Sequence, residues 1–159
     1  MKRSLNLVVP AILFALAAPT AGAEGVKIGN KIPFADGVGR DAIRKECDLE
    51  SQLSAFLSEF GGSQVESTGD LKDAKGKVFD AKITGVWAAG GPWGAASILV
   101  EGELRDSGKV IGTVAARRNT SRGGGACGKL AVSARAVAKD IAGWLDAPSM
   151  GARLGDAGK

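Results

Sequence analysis

Hydrophobic and polar positions change their spacing several times along this chain, and each change predicts an element. Lys2 and Arg3 precede an apolar stretch from Leu5 to Ala18, followed by the small residues Ala21, Gly22 and Ala23. That pattern predicts a signal peptide over residues 1–23, cleaved after Ala23, because the stretch is too short to anchor comfortably in a bilayer. Val26 to Phe34 then reads as a first strand, interrupted by Gly29 and Pro33. Leu49, Leu53, Phe56, Leu57 and Phe60 fall at helical spacing behind Asp48 as N-cap, with Gly61 and Gly62 as the stop, so a helix is predicted over 48–60. Good helix formers from Arg40 to Glu46 allow an earlier start. Gln64 to Lys77 is polar and predicts a loop with a short edge strand near Val65.

The spacing then switches to a period of two. Phe79, Ala81, Ile83, Gly85 and Trp87 alternate with Asp80, Lys82, Thr84 and Val86, which predicts a half-buried strand with Trp87 on its core side. A glycine-rich turn over 89–94 leads to a second strand, where Ile98, Val100 and Leu104 alternate with Leu99, Glu101, Glu103 and Arg105. A three-residue loop at Asp106, Ser107 and Gly108 places Leu104 opposite Val110, Val100 opposite Val114 and Ile98 opposite Ala116, with Glu101 meeting Thr113 on the other face. After a basic, glycine-rich loop over 117–125, Leu130, Ala134, Val137, Ala138, Ile141, Trp144 and Leu145 form the apolar stripe of a closing helix from about Cys127 to Leu145. Pro148 ends it, and Ser149 to Lys159 reads as a mobile tail.

These elements make one domain over 24–148, with a tail over 149–159. The predicted class is α+β: a two-layer sandwich in the order β-α-β-β-β-α, with two helices on one face of an antiparallel or mixed sheet of about four strands. Cys47 and Cys127 are the only cysteines, and in an oxidising compartment such a pair bonds. The bridge ties the starts of the two helices together, so they should run side by side and parallel. Closing so long a loop stabilises by at most about 4.5 kcal/mol in the chain-entropy model.

Charge changes the picture once export is considered. The formal balance of +4 falls to +2 when Lys2 and Arg3 leave with the signal. So small an excess lacks the dense cationic footprint of nucleic-acid binding. No cysteine stands immediately after the cleavage site, the first being Cys47, so no lipid anchor is expected. The mature protein should be soluble and periplasmic, without membrane insertion.

Candidate chemistry is sparse. Gly123-Gly124-Gly125-Ala126-Cys127-Gly128-Lys129 matches part of a phosphate-binding loop, but Leu130 stands where Mg²⁺ binding needs Ser or Thr. Arg117, Arg118 and Arg122 could still receive an anion at the start of the closing helix. Glu101 and Glu103 share a strand face about 7 Å apart, as solvent-side acids commonly do. The chain has no tyrosine and no histidine, so the commonest general base and zinc ligand are absent. No catalytic residue, metal or cofactor is expected. Trp93, between glycines in a turn, either folds back over the core or meets a partner, and is the candidate partner contact; Trp87 and Trp144 read as core.

The turn Gly90-Gly91-Pro92-Trp93, the strand Ile98 to Leu104, the hairpin Gly108-Lys109-Val110-Ile111-Gly112, the glycine-rich loop ending at Cys127, and Lys139-Asp140-Ile141 with Trp144-Leu145 together resemble a set of exported proteobacterial domains of unknown function. That set is similar in turn to small α/β domains of envelope lipoproteins and to the amino-terminal domain of the Tol periplasmic translocation protein. The resemblance covers about Ile43 to Pro148 and implies no catalytic residue. Many such relatives are outer-membrane lipoproteins, from which this chain departs by lacking the lipid-bearing cysteine. The expected function is therefore a non-enzymatic periplasmic module that binds an envelope protein partner. The alternative is a protein that binds a small ligand or anion through the 117–128 loop and helix start.

Overall fold

The computed structural model describes residues 25–89 and 94–159. The expected cleavage site and Trp93 lie outside these residues. One mixed sheet runs through the structure in the order β2-β1-β3-β4-β5-β6. Its strands are β1 (Val26–Gly29), β2 (Val65–Thr68), β3 (Lys77–Ala88), β4 (Ala96–Asp106), β5 (Lys109–Thr120) and β6 (Ala152–Gly155). Three α-helices accompany it among the described residues: α1 (Asp41–Glu46), α2 (Leu49–Gly61) and α3 (Gly125–Asp146).

The sheet has six strands where about four were predicted, and the extra ones are short and pair in parallel. β1 pairs in parallel with both β2 and β3, while β6 pairs in parallel with β5. The C-terminal stretch predicted as a mobile tail therefore contributes an edge strand. Only Val26 to Gly29 of the predicted first strand joins the ladder as a strand. Beyond it the Ile32 amide donates to the Glu50 carbonyl and the Phe34 amide to the Glu50 carboxylate. Glu50 thus draws this segment onto the start of α2 instead of extending β1.

The predicted 48–60 helix and its possible earlier extension are two helices, separated at Cys47 and Asp48. Asp48 has a left-handed φ of 43°, which an α-helix does not continue through. It does occupy the N-cap position of α2, but its carboxylate accepts from the Ser51 hydroxyl instead of capping a backbone amide. Cys47 and Cys127 form the expected disulfide, with Cα atoms 4.9 Å apart. Farther along, Arg135 of α3 donates to Glu59 of α2, one bond measuring 2.8 Å. Its guanidinium also lies over the Phe56 and Phe60 rings. From the disulfide to this contact both helices advance together, so α2 and α3 run side by side in the same direction.

The core joins the stripes of α2 and α3 to alternate residues of the sheet. Phe79, Ile83, Ile98, Val100, Leu104, Leu130, Val137 and Ile141 are all buried in one cluster. Two glycines on the same side of the sheet admit aromatic rings. A Cβ on Gly102 would lie 2.7 Å from the Phe79 ring, and one on Gly112 would lie 2.7 Å from Trp144. The two rings pack against each other with centroids 5.9 Å apart. Trp144 is core, as predicted.

Trp87 is not. It is 55% exposed, because the β3–β4 register slips between Ile83 and Gly85. This bulge inserts one residue and turns Val86 and Ala88, instead of Gly85 and Trp87, toward the core. The β4–β5 hairpin also differs from its predicted loop. It turns through Ser107 and Gly108, both at positive φ, and pairs Leu104 with Gly112, Val100 with Ala116 and Ile98 with Arg118. A second irregularity between Leu104 and Arg105 makes up the difference, and Glu101 pairs with Ala115 while Thr113 faces Glu103.

Candidate functional site

The sheet positions that alternate with the core residues of β3–β5 form an open face, and the registers arrange them in rows. Asp80, Glu103 and Thr113 make one row, and Lys82, Glu101, Ala115 and Arg153 the next. Leu99 and Arg117 follow, and then Trp87, Ser97 and Asn119. Adjacent strands stand about 4.8 Å apart, and successive rows about 7 Å. Asp80, Lys82, Thr84, Glu101, Glu103 and Arg153 line a shallow trough of about 510 Å³ on this face.

The trough divides into a half that satisfies itself and a half that does not. Arg105 donates to Glu103 at 2.6 Å and to Asp80 at 3.1 Å, closing a three-residue ion network. The hydrogen bond it donates to Glu103, aided by that carboxylate's charge, holds the Arg105 guanidinium above its usual pKa. One row away, Lys82 and Glu101 are cross-strand neighbours, yet neither forms an ion pair among the described residues. Arg153 spends one N–H on the Ala157 carbonyl at 2.7 Å. Thr84, at the bulge, has a buried hydroxyl without a hydrogen-bond partner among the described residues.

The three arginines expected to gather near the α3 start are dispersed. Arg117 and Arg118 are consecutive in β5 and therefore point to opposite faces. Arg117 is exposed on the open face. Arg118 turns toward α3 and makes a two-pronged ion pair with Asp140, at 2.6 and 2.8 Å, which raises its pKa. Arg122 is exposed in the loop, its amide donating to the Thr120 hydroxyl. Lys129 of the phosphate-loop-like segment is buried, and its ammonium donates to the Gly94 carbonyl at 2.6 Å. Gly123 folds back on the first turn of α3, where a Cβ would lie 2.7 Å from the Gly128 carbonyl carbon.

Trp87 is the residue that sequence reasoning misplaced. Gly85 carried the missing signal, since a glycine inside a strand often marks a bulge. Reading an unbroken period of two through Gly85 hides an exposed indole in the core. Among the described residues no cluster of His, Cys, Asp or Glu could hold a metal ion.

No family model and no curated protein matches the chain. Among solved structures it is similar to the hypothetical protein CT253 from Chlamydia trachomatis, with a TM-score of 0.53 and 11% identity, covering 78% of this chain and 96% of that one. It also aligns with the PelC dodecamer from Paraburkholderia phytofirmans at a TM-score of 0.48 and 19% identity, covering 75% of this chain and 86% of that one. A minor lipoprotein from Acinetobacter baumannii aligns at a TM-score of 0.36 and 17% identity, covering 78% and 88%. The first likeness is one of fold alone, and the other two carry no argument. No helix among the described residues is long and apolar enough to cross a membrane.

Proposed function

We propose that this chain is an exported, disulfide-closed domain that works in the periplasm as a non-enzymatic binding module for another component of the cell envelope. In this reading the helices cover one face of the sheet as one layer, and the opposite face does the binding. One observation carries the proposal: the open face presents Trp87 at 55% exposure together with charged side chains that have no ion-pair partner among the described residues. Tryptophan surrounded by a polar rim is the composition of an interface centre. The disulfide suits an oxidising compartment, as does the predicted signal. A binding role also suits the carboxylates, because Glu103 is engaged by Arg105 and leaves Glu101 without an adjacent free acid on its strand.

In-cell photo-crosslinking tests the reading. A photoreactive residue at position 87 should give a discrete adduct with an envelope component. The same residue at Val132, exposed on α3, should not. The same adducts from both positions, or none from either, would sink the proposal.

A further inference from the structure

The charges that the open face leaves unpaired describe what it binds. Arg105 binds both Asp80 and Glu103 within hydrogen-bonding distance, and the second carboxylate leaves that network with one negative charge. Beyond them stand Lys82, Arg117 and Arg153, which have no carboxylate partner among the described residues, against the unpaired carboxylate of Glu101 and the carboxylate of Asp156, which Lys159 holds at the Asn119 end of the face. Trp87 and Leu99 supply the apolar centre, and Gly85 places no side chain between Trp87 and the Lys82 row. From β3 to β6 this patch spans about 14 Å across the strands. It is a broad, open surface and not an enclosed pocket.

We propose that this patch docks an acidic polypeptide surface, with Trp87 as the apolar anchor and Lys82, Arg117 and Arg153 facing the partner's carboxylates. The proposal rests on the binding role given above and adds the chemistry of the occupant. Charge complementarity sets the sign, since beyond that network Lys82, Arg117 and Arg153 outnumber Glu101, and an acidic partner neutralises the excess. Glu101, set in the same row as Lys82 and Arg153, opposes a uniformly anionic plane such as a lipid surface. A polypeptide avoids that conflict by placing a donor or a neutral residue there. Desolvating Trp87 against an apolar side chain of the partner adds the short-range part of the affinity.

The test uses the full chain purified in its oxidised form. Three probes are titrated: a short soluble peptide repeating Glu-Ser-Leu, its Lys-Ser-Leu counterpart, and phosphatidylglycerol vesicles in phosphatidylcholine. Binding is read from the Trp87 indole N–H resonance and by calorimetry. The acidic peptide should shift that resonance saturably, and added salt should weaken the binding. Trp87→Ser and Arg117→Glu should each weaken it about tenfold or more, whereas Arg122→Glu, in the β5–α3 loop, should leave it unchanged. Both weakening substitutions are at exposed positions, and unaltered thermal unfolding of each variant excludes a folding effect. Equal binding of the lysine peptide, indifference to Arg117→Glu, preference for the vesicles, or no saturable shift at all would overturn the inference. If the peptide fails while position 87 still crosslinks to a discrete envelope component in cells, the acidic-partner inference falls and the binding role stands. If both fail, both fall.

Discussion

On the core side of β3–β5 each large side chain is matched by a space made for it, whereas on the other side charged residues stand in rows that are only partly matched. Phe79 and Trp144 lie over Gly102 and Gly112, and the fit tolerates no added methyl group. Across the same strands, Lys82, Glu101 and Arg117 go without ion-pair partners among the described residues, and a tryptophan faces water. The two sides share one backbone, so strand formation does not account for the difference. Burial does: side chains removed from water must fit, and those left in water are free to be chosen for another task.

The largest expected contrast compares one aromatic residue on each side of β3. Phe79→Ala should destabilise the domain by about 3–5 kcal/mol, because the cavity lies in a fully buried cluster. Trp87→Ala should change stability by less than about 1 kcal/mol, as surface substitutions do. Urea unfolding of both variants measures the difference, and equal losses would break the comparison. Gly102→Ala sharpens it. The added methyl collides with the Phe79 ring and should cost about 1–3 kcal/mol, seen in the same unfolding series as a lower midpoint with an unchanged slope.

The smallest effect concerns pH at the β6 end of the sheet. The Asp156 carboxyl is held below its usual pKa, first by the Lys159 ammonium and then by the Asn119 amide. A lowered folded-state pKa contributes stability above the unfolded-state value, and the contribution is lost as pH falls through the folded-state value. The Asn119 amide should therefore gain hydrogen exchange only below about pH 4, after correction for the intrinsic rate. Asp156→Asn should abolish that acid-induced change.

Helices α2 and α3 and strands β3–β5 were legible because their apolar residues recur with the period of the element, and burial against one core enforces that period. The disulfide was legible from cysteine number and compartment. Three features were not. The bulge at Thr84 changes which residues face the core without changing composition, so Trp87 was assigned to the wrong side. Ser107 adopts a left-handed φ that shortens the hairpin loop, a conformation rare outside glycine, asparagine and aspartate. The strand pairing of Ala152–Gly155 depends on hydrogen bonds from distant β5, because its own four residues carry little apolar pattern. The candidate site followed the same division. The arginines were visible as a cluster in sequence, but alternation along β5 sends Arg117 and Arg118 to opposite faces.

β6 also covers part of one edge of the sheet. It pairs with Val114 to Arg117 and occupies part of the rim of a twelve-residue strand. The Ser149 carbonyl accepts from the Thr113 amide just beside that pairing. A chain cut after Pro148 would keep the disulfide and both long helices. It would also bare a row of β5 amides and carbonyls, a template on which another copy could extend the sheet. Trimming residues 149–159 should therefore favour self-association, seen as a concentration-dependent rise in size on gel filtration.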